Sequence, residues 1–266
     1  MHYLFLSVTG IVMGLFGGLL GIGGSVIMIP ALVFAFGENQ HLYQASAMIC
    51  NFFVATSAAV IFKKAELIIT NVVKFLIPAA AAGVIIGVAL SNTSFFAGGN
   101  SVLLARIFGL FIIYVIIYNL LKLLRSIQPA AQALSLKENY SAGLSVLCGL
   151  LSGIPAGLLG IGGGVVCIPM QQLLLKMPLK NAISNSAATI IAISAVGAFY
   201  KNATLPQHNI SPNESLKIAV FVIPGAIVGA LLGGKLMYRL HREVVRIVFI
   251  LINIIACYKL LTVGPA

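Results

Sequence analysis

The sequence contains no tryptophan and no aspartate, and its acidic residues are five glutamates. Without tryptophan a common marker of the membrane–water interface is missing, so fifteen Phe and eight Tyr are left to anchor any such boundary. Glu38, Glu66, Glu138, Glu214 and Glu243 all fall in expected loops or at segment ends, as do His2, His41, His208 and His241. A buried carboxylate or histidine proton relay is therefore unsupported, and so is sodium coordination through carboxylates. Charged residues are only 8% of 266 and apolar ones 60%, with a mean hydropathy of +1.09. Soluble globular domains carry roughly 25% charged residues, so a water-soluble fold is excluded. Cys50, Cys148, Cys167 and Cys257 lie in apolar runs without C-x-x-C spacing, which argues against a disulfide framework or a zinc site. No nucleophile, base and acid occur together at intramembrane positions, so an enzyme is not expected, and nothing calls for a metal or cofactor.

The formal charge of +11 does not point to nucleic acid, because the cations lie singly or in pairs at the ends of apolar stretches, as orientation signals do. Met1-His2-Tyr3-Leu4 has no basic n-region, so the first stretch reads as part of the protein rather than a cleaved signal. Ten apolar stretches follow one another at about 4–20, 25–36, 44–62, 72–91, 102–124, 141–159, 165–175, 182–200, 216–237 and 243–262. Most are long enough to span a bilayer. The second and seventh, rising roughly 18 Å against a hydrocarbon core of about 30 Å, are not.

The chain repeats itself. Gly14 to Pro30 and Gly153 to Pro169 are identical at eleven of seventeen positions, at an offset of 139. Phe75-Leu-Ile-Pro78 with Gly83 and Gly87 recurs as Phe221-Val-Ile-Pro224 with Gly229 and Gly233, and Arg106-Ile107 recurs as Arg246-Ile247. The expected architecture is an all-α integral membrane protein of two repeats, residues 1–124 and 140–266, joined by a polar linker at 125–139. Each repeat has a glycine-broken re-entrant or short helix pair followed by three membrane-spanning helices. If every short pair crosses once, the cations divide nine to seven, which orients nothing. If each pair returns to the side it entered, twelve cations face four. The minority are Arg106, Lys201, Lys217 and Lys259, and the bias makes the repeats inverted, with both termini outside.

Gly21-Ile-Gly-Gly-Ser25 and Gly160-Ile-Gly-Gly-Gly164 would break the helix and leave backbone N–H groups at the start of a short helix, a ready site for an anion. The binding candidates are Gly23, Gly24 and Ser25 with Gly162, Gly163 and Gly164. Ser46, Asn51, Ser184 and Asn185 at the start of the third segments would add uncharged donors. Arg106 and Arg246, at equivalent places, would draw anions to opposite entrances or gate them. Packing alone could also explain the glycines, and capping could explain the polar side chains.

The duplicated G-x-x-x-G-x-x-G-x-G-G-G/S-x-x-x-x-P pattern, the alanine-led third segments and the late Pro-x₄-Gly-x₃-Gly runs resemble the sulfite exporter TauE/SafE family over nearly the whole chain. Ala45-Ser46 and Ser184-Asn185 stand where its members often carry Thr-Ser or Thr-Asn. The resemblance implies a multi-pass protein of the bacterial cytoplasmic membrane. It would export a small sulfur-containing organic or inorganic anion, of the sulfite or sulfoacetate class, by alternating access. Its partners would be the anion and the lipid bilayer. The alternatives are an anion-permeable channel and a membrane scaffold that transports nothing.

Overall fold

The computed structural model describes residues 2–93, 96, 101–126, 140–236 and 242–262. Most of the expected linker, 127–139, lies outside the described residues. Among the described residues ten α-helices follow the ten apolar stretches. They are α1 His2–Leu20, α2 Ser25–Phe36, α3 Gln40–Lys64, α4 Thr70–Ser91 and α5 Ser101–Ser126, then α6 Ala142–Leu159, α7 Gly164–Leu174, α8 Leu179–Thr204, α9 Pro212–Leu236 and α10 Arg242–Thr262. A 3₁₀ turn, Leu205–His208, prolongs α8. Among the described residues there is no strand.

Among the described residues, seven helices are long and apolar enough to cross a membrane: α3, α4, α5, α6, α8, α9 and α10. Leu110, Leu173, Phe199, Ile255 and Tyr258 are among many large apolar side chains left exposed on the outer surface. A surface of that kind is stable against lipid rather than water. The protein is a multi-pass, all-α membrane protein.

With no hydrophobic drive between helices in lipid, contact depends on small residues that let backbones approach. Gly10, Gly14 and Gly18 of α1 face Val222, Ala226 and Ala230 of α9, and Gly149, Gly153 and Gly157 of α6 face Leu76, Ala80 and Val84 of α4. A Cβ on Gly14 would fall on the carbonyl oxygen of Ala226, and one on Gly153 on that of Ala80. The four-residue glycine spacing therefore marks two tight, parallel helix pairs, each joining one repeat to the other. Gly153→Val should lower unfolding stability by about 2 kcal/mol or more through overpacking. Gly143→Val should change it by less than about 0.5 kcal/mol, because the nearest atom to its added Cβ is Ser141 Oγ at 3.9 Å. Unfolding in detergent micelles measures both.

The helices that correspond between repeats run antiparallel. In the α3–α8 pair, Gln44 meets Lys201 and Met48 meets Gly197, so residue numbers fall along α8 as they rise along α3. In the α5–α10 pair, Gly109 meets Leu261 while the Lys122 carbonyl accepts from Arg246. The short helices fold back on their predecessors. Phe36, ending α2, packs edge-on against Phe5 at the start of α1, with ring centroids 6.0 Å apart. In the second repeat an added Cβ on Gly163 would lie 3.1 Å from the Ser152 carbonyl oxygen, so α7 doubles back along α6.

One end of the bundle gathers the exit of α2 with residues 92, 93 and 96 and with 205–211, tied by His41 to Phe96 and His208 to Asn92. The other gathers 65–69 with the ends of α5 and α7 and the starts of α8 and α10. There Asn181 donates to the Leu67 carbonyl, and Lys122 donates to Gln172.

Candidate functional site

Both glycine turns are buried and touch each other at the centre of the bundle. Gly23 and Gly163 have φ of 76° and 81°, a region costly for residues with a Cβ. A Cβ added to Gly164 would stand 2.5 Å from Ile22 Cα and 2.6 Å from the Gly21 carbonyl oxygen, so only glycine fits between the tips. Ser186 of α8 donates to that Gly21 carbonyl at 3.1 Å, fastening the first tip to the second repeat.

Asn51 of α3 reaches the same point. Its Oδ1 accepts from the Gly24 N–H at 2.8 Å and its Nδ2 donates to Ser25 Oγ at 3.0 Å, so its carboxamide caps α2. A Cβ on Gly162 would lie 2.9 Å from Asn51 Nδ2. The second repeat has no such cap. At the offset of 139 Asn51 corresponds to Ile190, whose Cδ1 lies against Gly164. Gly163 caps α7 without a side-chain hydrogen bond. Among the described residues nothing accepts from the N–H groups of Gly164 or Val165. The two turns are alike in sequence and differ at one position: Asn51 takes the Gly24 N–H, whereas among the described residues nothing takes the Gly163 N–H, and the N–H groups of Ser25 and Val26 lack an acceptor just as those of Gly164 and Val165 do.

A cavity of about 70 Å³ lies between one end of the bundle and this meeting point. It ends at Ile22 and Val165 beside the two turns, and its outer wall holds Tyr118, Asn119 and Lys122 of α5 with Arg246 of α10. Arg246 is only 8% exposed and donates to the Lys122 carbonyl at 3.4 Å. Lys122 Nζ donates to Tyr118 OH at 3.2 Å and to Gln172 Oε1. The cavity therefore pairs two cations at its outer part with unclaimed helix N–H groups at its inner end, an arrangement that favours negative charge throughout.

The other sequence candidates are placed differently. Ser46 and Ser184 are buried but turn their hydroxyls onto their own helices, donating to the Leu42 and Lys180 carbonyls at 2.8 Å each. Asn185 is occupied on both sides: its Oδ1 accepts from the Ile69 N–H at 2.8 Å, and its Nδ2 donates to Gln171 and Met177. It joins the start of α4 to α7 rather than facing the turns. Arg106 is exposed on α5 and lines none of the cavity. Its repeat counterpart Arg246 does, so the two arginines are not equivalent in space.

A group of buried polar residues at the opposite end was not anticipated. Lys201 of α8, 4% exposed, donates to Gln44 Oε1 at 2.6 Å and Ser91 Oγ at 3.2 Å. Beside it the His41 and His208 rings stack with centroids 3.6 Å apart. A signal existed in Gln40, His41 and Gln44, spaced to share one face of α3, but its partner lies 157 residues away.

Residues 6–260 match the family described as Sulfite exporter TauE/SafE. The chain is 28% identical over 294 residues to the Probable membrane transporter protein MamO of Paramagnetospirillum magneticum, covering 96% of this chain and 45% of that protein. It thus spans less than half the length of that relative. It is 25% identical to the Probable membrane transporter protein YunE of Bacillus subtilis over 97% of this chain and 98% of the relative. A third relative, the Probable membrane transporter protein MJ0441 of Methanocaldococcus jannaschii, is 28% identical over 91% of this chain and 89% of its own. No solved structure matches. A match along almost its entire length, on an all-helical frame of membrane-spanning dimensions, means that the chain belongs to the TauE/SafE sulfite exporter family.

Proposed function

We propose that the protein moves a small sulfur-containing oxyanion, of the sulfite or sulfoacetate class, outward across the cytoplasmic membrane by alternating access. The observation that carries this reading is the cavity that runs past Lys122 and Arg246 to the uncapped start of α7. Backbone N–H groups and a helix dipole hold an oxyanion without a fixed full charge, so the anion can leave again.

The antiparallel course of α3 against α8 and α5 against α10 supports inverted repeats. Positive residues support the orientation. At the cavity's end of the bundle lie Lys63, Lys64, Lys74, Lys122, Lys176, Lys180, Lys235 and Arg246; at the other lie Arg106, Lys201, Lys217 and Lys259. Among the residues whose side chains are described, eight against four supports a cytoplasmic mouth for the cavity. From there an anion leaving an inside-negative cell gains about 2.3 kcal/mol per charge per 100 mV, so export needs no coupling ion.

Sulfite efflux from proteoliposomes tests the proposal. The expected flux saturates with internal sulfite, is accelerated by sulfite outside, and rises when the interior is made negative. Flux equal to that of protein-free vesicles would overturn it. Flux that grows without saturation would replace the carrier with a channel.

A further inference from the structure

We propose that Lys201, with the side-chain amides of Gln44 and Gln40, forms a second anion-binding site at the end of the bundle opposite the cavity, built for one small inorganic anion. The chemistry there is an excess of donors. The Lys201 ammonium has three N–H bonds and two neutral partners, Gln44 Oε1 and Ser91 Oγ. Gln44 Nε2 is buried with no acceptor, and Gln40, 0% exposed and one turn earlier on the same helix, has no partner for either atom of its amide. Asn92 Nδ2 at the end of α4 is likewise buried without an acceptor. Buried polar groups are ordinarily hydrogen-bonded, and a buried charge is ordinarily paired. Three orphaned amide N–H groups, together with a buried ammonium whose two hydrogen-bond partners are neutral, are completed by one anion.

The site adjoins the glycine turns, since an added Cβ on Gly160 would stand 2.7 Å from Gln44 Cβ. Its binding property stands alone. Its role as the exit station of a path that begins at Lys122 and Arg246 rests on the anion-carrier reading above.

The test is thermal unfolding of the detergent-purified full chain in sodium chloride or sodium sulfite, against sodium gluconate at matched ionic strength. Lys122→Gln/Arg246→Gln serves as the background that silences the cavity. In that background the melting temperature should still rise with chloride and sulfite, following mass action. Adding Lys201→Met should flatten the rise while raising the anion-free melting temperature, because a lone buried charge is gone. Lys201→Arg should restore the rise. Gln44→Met should shift the half-saturating concentration upward at least ten-fold, and it serves if Lys201→Met does not fold. A rise of equal size in Lys201→Met, or no rise in the background protein, would overturn the site. Sulfite efflux by the wild type alongside either result would leave the carrier reading standing. A chloride response that depends on Lys201, in a protein that carries no sulfite, would sink the carrier and keep the site.

Discussion

Asn51→Asp is expected to cut sulfite efflux by about 100-fold while leaving the protein folded. The carboxylate is nearly isosteric with the carboxamide and keeps the bond from the Gly24 N–H, while Ser25 Oγ, which now accepts from Nδ2, can turn to donate. The positive end of the α2 dipole and these two donors hold the new group ionised. It would then stand beside Gly162, next to the α7 N–H groups that receive the anion. A like charge roughly 6 Å from the substrate, at an effective dielectric of about 20, costs about 3 kcal/mol, which is the factor given. Efflux from proteoliposomes with the melting temperature as a folding control measures it. Unchanged efflux would remove the turns from the path.

The second large effect falls on the cavity's outer part. Lys122→Gln combined with Arg246→Gln should raise KM for efflux by about 30-fold, since each cation roughly 8 Å from the entering anion contributes about 2 kcal/mol at the same dielectric and only part is lost to screening. Neither residue touches the turns, so Vmax should change far less than KM. Ionic strength gives an independent reading: salt should raise KM in the wild type and hardly alter it in the double variant. Arg106→Gln, at the corresponding place in the first repeat, should leave KM within two-fold, because Arg106 points away from the cavity.

That contrast shows where sequence stopped being informative. Helix positions were legible because apolar length and glycine breaks are local: α2 and the stretch expected at 25–36 coincide. The packing stripes were legible for the same reason, since small residues every four positions line one face of a helix. Asn51 was recognisable as a costly polar residue in an apolar run. Its role as a cap for α2 was not, because that depends on how α3 leans against a turn 27 residues earlier. The duplication also misled in places. It made Arg106 and Arg246 look alike, whereas burial against a different neighbour separates them. Asn185 looked like a donor to the substrate, but its Nδ2 donates to Gln171 and Met177. The inequality of the two turns was written in the alignment as Asn51 against Ile190, but its meaning appears only when both lie beside the same glycines.

The central claim is that the two glycine-tipped hairpins enter the membrane from opposite faces and meet inside it. Side-specific labelling of Glu38→Cys, just beyond α2, and Lys180→Cys, at the start of α8, tests it most directly, with little background because all four native cysteines are buried. An impermeant maleimide applied outside intact cells should modify the first and reach the second only after the membrane is opened. Modification of both from the same side would contradict the account.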